Sequence, residues 1–97
     1  MDDRDYLVML YDYYGELFGD KQRKYFEDYY FNNLSLGEIS DNLGVSRNAI
    51  YKVIKNVEEK LYFYEEKLGM YSKNIKINGI IEKISDEEVK KELGGLF

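Results

Sequence analysis

Residues 34–54 read LSLGEISDNLGVSRNAIYKVI, which spells a helix, a tight turn and a second helix. Ser35-Leu36-Gly37-Glu38 is a capping box. The Ser hydroxyl takes an orphan amide at a helix start, and the Glu carboxylate reaches back to the chain ahead of it. The helix it opens is short and stops at Gly44, which supplies the left-handed backbone that ends many helices. Ser46 caps the next helix. A helix-turn-helix needs two helices crossing steeply over a very short connection. Ile39 and Leu43 supply apolar contacts from the first helix, Val45 plugs the turn, and Ile50 and Val53 come from the second. Ser40 falls near the crossing, where a small side chain is needed.

The second helix of the motif continues well beyond it. Ile50, Ile54, Val57, Leu61, Tyr64 and Leu68 recur at alternating steps of four and three, a heptad-like seam that runs to Gly69. Base reading needs only the first turns of such a helix, so the remainder must pack against something else. Upstream, Asp2 or Asp3 can cap a first helix whose stripe is Leu7, Leu10, Tyr14 and Leu17, widened by Tyr6, Tyr13 and Phe18. Gly15 near its end suggests a close helix crossing. Gly19, with Gln22 three residues on, or Asp20 directly, can cap a second helix. That helix runs to about Phe31, burying Phe26, Tyr29 and Tyr30, and Asn32-Asn33 ends it.

Downstream, NIKINGII (74–81) holds an Asn-Gly pair between apolar alternations, a hairpin signal in isolation. Ile77, Ile80, Ile81 and Ile84 also fit one helix face, and a lone two-stranded hairpin is marginal in water. Helix is the expected state. Ser85-Asp86-Glu87-Glu88 is a second capping box, opening a last short helix that ends at Gly94. With no Pro and few Gly outside these boundaries, the chain is expected to be all-α, with five or six helices and a long fourth one. Its 97 residues make one domain: a helix-turn-helix core over 3–69 and a helical tail over 70–97.

Composition narrows the chemistry. The chain has no Cys and no His, which removes disulfides, the usual zinc sites, thiol nucleophiles and imidazole bases. Glu58-Glu59, Glu65-Glu66 and Glu87-Glu88 are adjacent pairs, so the members of each do not share a helix face. No phosphate-cradling Gly loop appears. An enzyme is not expected, nor is a cofactor or metal. The acidic start does not resemble a signal peptide and no apolar run is long enough to span a membrane, so a cytoplasmic protein is expected.

The formal charge is −5, from 14 Lys plus Arg against 19 Asp plus Glu, a balance that repels nucleic acid. Its distribution matters more. The acidic excess lies mainly in the first third, whereas no acidic side chain occurs between Arg47 and Val57. The exposed start of the second motif helix carries Ser46, Arg47, Asn48, Tyr51, Lys52 and Lys55. Arg can donate bidentately to guanine, Asn can pair with adenine, and Lys can meet phosphate. The plain alternative is a solvated helix face, or the same geometry put to use on a protein. Most of the eleven Tyr and five Phe fall on apolar stripes, so packing accounts for them better than base stacking does. Tyr51, Tyr62 and Phe63 are the least tied to the seam.

The run over residues 13–69 resembles the YlxM family of small bacterial helix-turn-helix proteins. The likeness is carried by Tyr14-Gly15, Asp20-Lys21-Gln22-Arg23, Tyr25-Phe26, Tyr29-Tyr30, Leu34 to Ile39, Val45-Ser46-Arg47 and Glu65 to Gly69. The resemblance implies an all-helical domain similar to region four of sigma factors, which holds promoter DNA. It also implies a link to the signal recognition particle, because such proteins are encoded beside the gene for its GTPase. Gly19 stands where Thr is usual and still serves as an N-cap. Asn48 stands where Gln is common and keeps the ability to read adenine at shorter reach. Two functions follow as expectations. One is a regulator or accessory factor that binds nucleic acid, DNA ahead of RNA, through the fourth helix. The other is a protein-interaction module. In both the chain is expected to be a homodimer through Leu61, Tyr64, Leu68, Ile77, Ile81 and Ile84.

Overall fold

The computed structural model describes residues 3–96, which fold as six α-helices with no strand among them. Helix α1 (Asp3–Tyr14) buries Leu7, Leu10, Tyr11 and Tyr14. The cap expected from Asp2 lies outside the described residues, and Asp3, the first described residue, is already helical. The chain then tightens into a 3-10 turn over Gly15–Leu17. Three residues per turn in place of 3.6 shift the stripe. Phe18 is buried, as expected, but Leu17, also expected inside, is 59% exposed. Gly15 makes room for a local contact: an added Cβ would lie 3.0 Å from two ring carbons of Tyr11.

Helix α2 (Asp20–Tyr30) starts at the Gly19 cap, whose N–H donates to Gln22 Oε1 at 3.0 Å. Phe26 is fully buried, as expected, but Tyr25 is buried more deeply than Tyr29 or Tyr30. The reason is that α2 serves two cores. Phe26 faces the cluster of Leu7, Leu10, Tyr11, Tyr14, Phe18, Val57 and Leu61. Tyr25 faces the smaller cluster of Ile39, Ile50 and Ile54. Helix α3 (Leu36–Leu43) and helix α4 (Arg47–Leu68) form the helix-turn-helix. The α4 seam divides between the cores: Ile50 and Ile54 close the motif, and Val57 and Leu61 close the bundle with α1 and α2. Beyond them the seam fades. Tyr64 is half-buried and Leu68 is 47% exposed.

Tyrosine hydroxyls tie the helices together through carboxylates. Tyr11 donates to Glu27, joining α1 to α2. Tyr30 donates to Glu58, joining α2 to α4. Tyr14 donates to Glu65 at 2.6 Å, joining α1 to α4. Each ring is apolar body and polar tip, so a packed Tyr needs such an acceptor. Part of the acidic surplus therefore has an internal use. Burial, and then the hydrogen bonds to Glu27 and Glu65, push the Tyr11 and Tyr14 hydroxyls up to about 12. Burial and Glu58 push Tyr30 up as well. Arg4 adds a tie that the sequence did not suggest. Its Nη2 donates to the carbonyls of Tyr29 and Tyr30 at 3.0 and 3.1 Å, and to Asn33 Oδ1 at 3.1 Å, capping the C-terminus of α2.

Gly69, at φ +61°, ends α4 and turns the chain into helix α5 (Met70–Ile81). The stretch 74–81 is thus helical, as its apolar face predicts, and not a hairpin. Helix α6 (Glu87–Leu96) is capped by Asp86, whose Oδ1 accepts from the N–H groups of Glu88 and Val89. Ser85 does not cap it, and the helix passes through Gly94 without ending there. The particle is elongated, 55 × 24 × 24 Å. No helix among the described residues is long and apolar enough to cross a membrane.

Candidate nucleic-acid interface

The motif is assembled by local bonds, each legible in the residues. Ser35 Oγ accepts from Glu38 N–H at 3.1 Å, and Ser35 N–H donates to Glu38 Oε1 at 3.1 Å, completing the expected box. Gly44 ends α3 at φ +68°, and its N–H donates to Ser40 O. Ser40 does more than leave space: its Oγ donates to Val45 O at 2.6 Å, fastening the turn to the helix before it. Ser46 Oγ accepts from Ala49 N–H at 3.1 Å and starts α4. Ile39 and Ile50 are fully buried against each other's helices, whereas Leu43, expected inside, lies exposed at the rim.

All six expected contact residues, Ser46, Arg47, Asn48, Tyr51, Lys52 and Lys55, are exposed. They do not form one undivided patch. Asn48, Lys52 and Lys55 follow one another at steps of four and three, and so share the face opposite the buried seam. Arg47 and Tyr51, also four apart, occupy the flank. Ser46 already gives an oxygen lone pair to its cap, which makes it first a structural residue. Lys55 also lines an open groove of about 460 Å³ together with Asp3, Arg4, Tyr30, Glu58, Glu59 and Tyr62. The carboxylates of that groove mark where the basic stretch ends. Among the described residues, Arg47, Asn48, Lys52 and Lys55 have no side-chain hydrogen bond or ion pair. Their polar groups are thus free for an external partner.

The chain matches, over residues 1–94, the family model described as "UPF0122: Putative helix-turn-helix protein, YlxM / p13 like". The chain belongs to this family. It is 49% identical over 85 residues to a UPF0122 protein of Caldanaerobacter subterraneus subsp. tengcongensis, an alignment covering 88% of this chain and 73% of that one. It is 47% identical over 83 residues to a UPF0122 protein of Thermoanaerobacter sp., covering 86% and 71%. A UPF0122 protein of Listeria innocua is 43% identical over 83 residues, covering 86% and 76%. The family is described by its helix-turn-helix and not by a reaction.

Two of the residues expected at a dimer contact are enclosed within the single chain. Leu61 is fully buried in the core with Leu7 and Leu10, and Ile81 is buried at the end of α5. A seam residue that already has partners in its own chain presents no surface to a second copy. Tyr64, Ile77 and Ile84 are half-buried, and Leu68 alone of the set is exposed. Sequence reasoning also passed over Gly37, which meets Arg47. A glycine early in a helix, where it costs up to about 1 kcal/mol relative to Ala, was the available signal.

Proposed function

We propose that this protein is a regulatory or accessory factor that binds nucleic acid, DNA ahead of RNA, through the first three turns of α4. Asn48, Lys52 and Lys55 form the face that enters the groove, and Arg47 and Tyr51 contact its wall. The observation that carries this reading is the set of unpaired basic and amide groups over 47–55, free of any carboxylate, on a motif whose turn is bonded together. The net negative charge does not oppose it. Glu27, Glu58 and Glu65 are engaged by the tyrosine ties, and Glu59 lies in the groove beyond Lys55, so none of these carboxylates sits within the 47–55 stretch. The family resemblance supports a link to the signal recognition particle, a role performed in the cytoplasm. Selection of bound duplexes from a random DNA pool, beside a structured RNA pool, tests the reading. Affinity should fall steeply with salt. Recovery of no nucleic acid above background, with salt-insensitive capture of a protein, would favour the interaction module.

The tail from residue 70 onward serves, on this proposal, as a dimerisation element. Leu68, Met70, Ile75, Ile80 and Leu96 support it as large apolar side chains left exposed in one chain. Two-fold symmetry would set two copies of the α4 start on one side, suiting a pseudo-palindromic site.

A further inference from the structure

We infer that Gly37 is a positioning residue for Arg47, and that its missing Cβ is what seats the guanidinium at the joint between α3 and α4. This rests on the nucleic-acid reading above and adds to it a residue that touches no ligand. Gly37 is the second residue of α3, and Arg47 is the first of α4. A Cβ built on Gly37 would lie 2.9 Å from Arg47 Nη2, 3.0 Å from Cζ and 3.2 Å from Nε. Three guanidinium atoms therefore pack over this one position, and a methyl group there cannot coexist with them. The neighbouring acid does not hold the cation. Glu38 directs its carboxylate to Ser35 N–H, and Arg47 has no ion pair among the described residues. The guanidinium thus lies over Gly37 without a bonded partner and keeps its donors.

Shape without pairing is what a pre-positioned contact requires. A guanidinium held against backbone loses less rotamer freedom on binding than one free in solvent, and its planar fork stays open for bidentate donation. The glycine has no other duty visible in its surroundings. It lies inside a helix, where Ala is the better residue, and its φ is not in the left-handed region. A substitution that displaces only the end of a flexible side chain leaves the fold intact.

The test uses Gly37→Ala in the full chain. Its melting temperature should hold or rise, because Ala favours the helix. Its affinity for a labelled duplex of mixed sequence at low salt should fall about three- to tenfold, the effect of freeing one long side chain. In an Arg47→Ala background the same substitution should change affinity no further. Paired with Arg47→Lys, whose slimmer end tolerates the methyl group, it should bind as Arg47→Lys alone does. The Arg47 Nε–H resonance, assigned by its loss in Arg47→Ala, should move in Gly37→Ala. A wild-type protein that binds no duplex overturns the nucleic-acid reading and this inference together. A wild type that binds, with Gly37→Ala binding equally well or adding its full effect to Arg47→Ala, overturns this inference alone. An unmoved Nε–H resonance does the same.

Discussion

The body over residues 3–69 and the tail over 70–96 are both helical, yet they are held by different means. In the body, α1, α2 and α4 close on a core of eight buried side chains, and four more seal the motif. In the tail, Ile81 is the only buried side chain of α5, and α6 has none. The tail is attached at its root by Tyr71, whose ring packs edge-on against Tyr6 and Tyr13, and by polar bonds. Glu65 is their hub: it accepts from Tyr14 Oη and from the N–H groups of Tyr71 and Ser72. Tyr14 Oη in turn accepts from Met70 N–H, and Tyr13 and Asn74 bond beside it. Helix formation and burial are therefore separate matters here. The tail helices form with little burial, α6 from the Asp86 cap and α5 from the bonds at its root, whereas side-chain enclosure fixes the body.

The comparison is broken most directly at Phe26. It is fully buried, and Tyr11 and Tyr30 stack on it with centroids at 4.4 and 4.3 Å. Phe26→Ala should cost about 3–5 kcal/mol in chemical denaturation. A loss as small as that of an exposed tail residue would mean that the body is not held by its core.

Gly44→Val comes next. Nothing lies within 4 Å of a Cβ at this position, so space is not the constraint. The backbone is: φ +68° disfavours a β-branched residue by about 1–3 kcal/mol. A loss below about 0.5 kcal/mol would show that the turn relaxes freely and that its geometry is not fixed by the glycine.

The root of the tail separates from the body under pH. Burial raises the Glu65 carboxyl, but the bonds from Tyr14, Tyr71 and Ser72 outweigh it and hold the group below its ordinary 4.5. A depressed carboxylate contributes fully above its unfolded value and loses that contribution as pH falls through the folded one. Acid below about pH 4.5 should therefore release α5 from α1 first, seen as faster amide exchange at Tyr71 and Ser72. Glu65→Gln should reproduce this at neutral pH with a loss of about 1–2 kcal/mol. In alkali the root and the body are loosened together, because Tyr14 belongs to both. Tyr11 and Tyr14 are raised from 10.0 to about 12, so their stabilisation is complete below pH 10 and is lost between there and about 12. Alkaline unfolding should track tyrosinate absorbance and involve the body. Exchange at the α5 root that is indifferent to acid would remove Glu65 as the hub.

What was legible in the sequence follows the same division. Caps are local chemistry, and Ser35-Glu38, Gly44, Ser46 and Gly69 could be read one by one. Asp86 was hidden behind Ser85 because adjacent residues can each cap, and only geometry decides between them. Burial is not local. Leu17 left the stripe while Phe18 stayed on it, because a 3-10 turn altered the period, which no spacing rule over α1 could register. A heptad seam looks the same whether its partner is another chain or the chain's own first helix, so spacing alone predicts Leu61 at a contact between copies although it packs on α1. At the interface, exposure of Arg47, Asn48, Lys52 and Lys55 was predictable from the opposite seam. The contact of Gly37 with Arg47 spans ten residues and the turn between them, and depends on a side-chain conformation that composition does not encode.

The smallest effect on folding is expected where the tail is most apolar. Ile75 and Ile80 are 54% and 62% exposed on α5. Ser has nearly the helix propensity of Ile, so exchanging both should alter stability by no more than about 0.5 kcal/mol. Their role, on the proposal of a dimerising tail, lies between chains. Burying one such side chain is worth about 1.5–3 kcal/mol, so two per protomer would weigh heavily in a two-fold contact. The double variant Ile75→Ser/Ile80→Ser should then show an unchanged melt at low concentration. In sedimentation equilibrium at micromolar concentration its mass should fall from twice the chain mass to 11.6 kDa. If the wild type already sediments at 11.6 kDa, the exposed isoleucines face solvent and the tail has another use. If the variant stays dimeric, the contact lies elsewhere, and Leu68, Met70 and Leu96 become the residues to exchange.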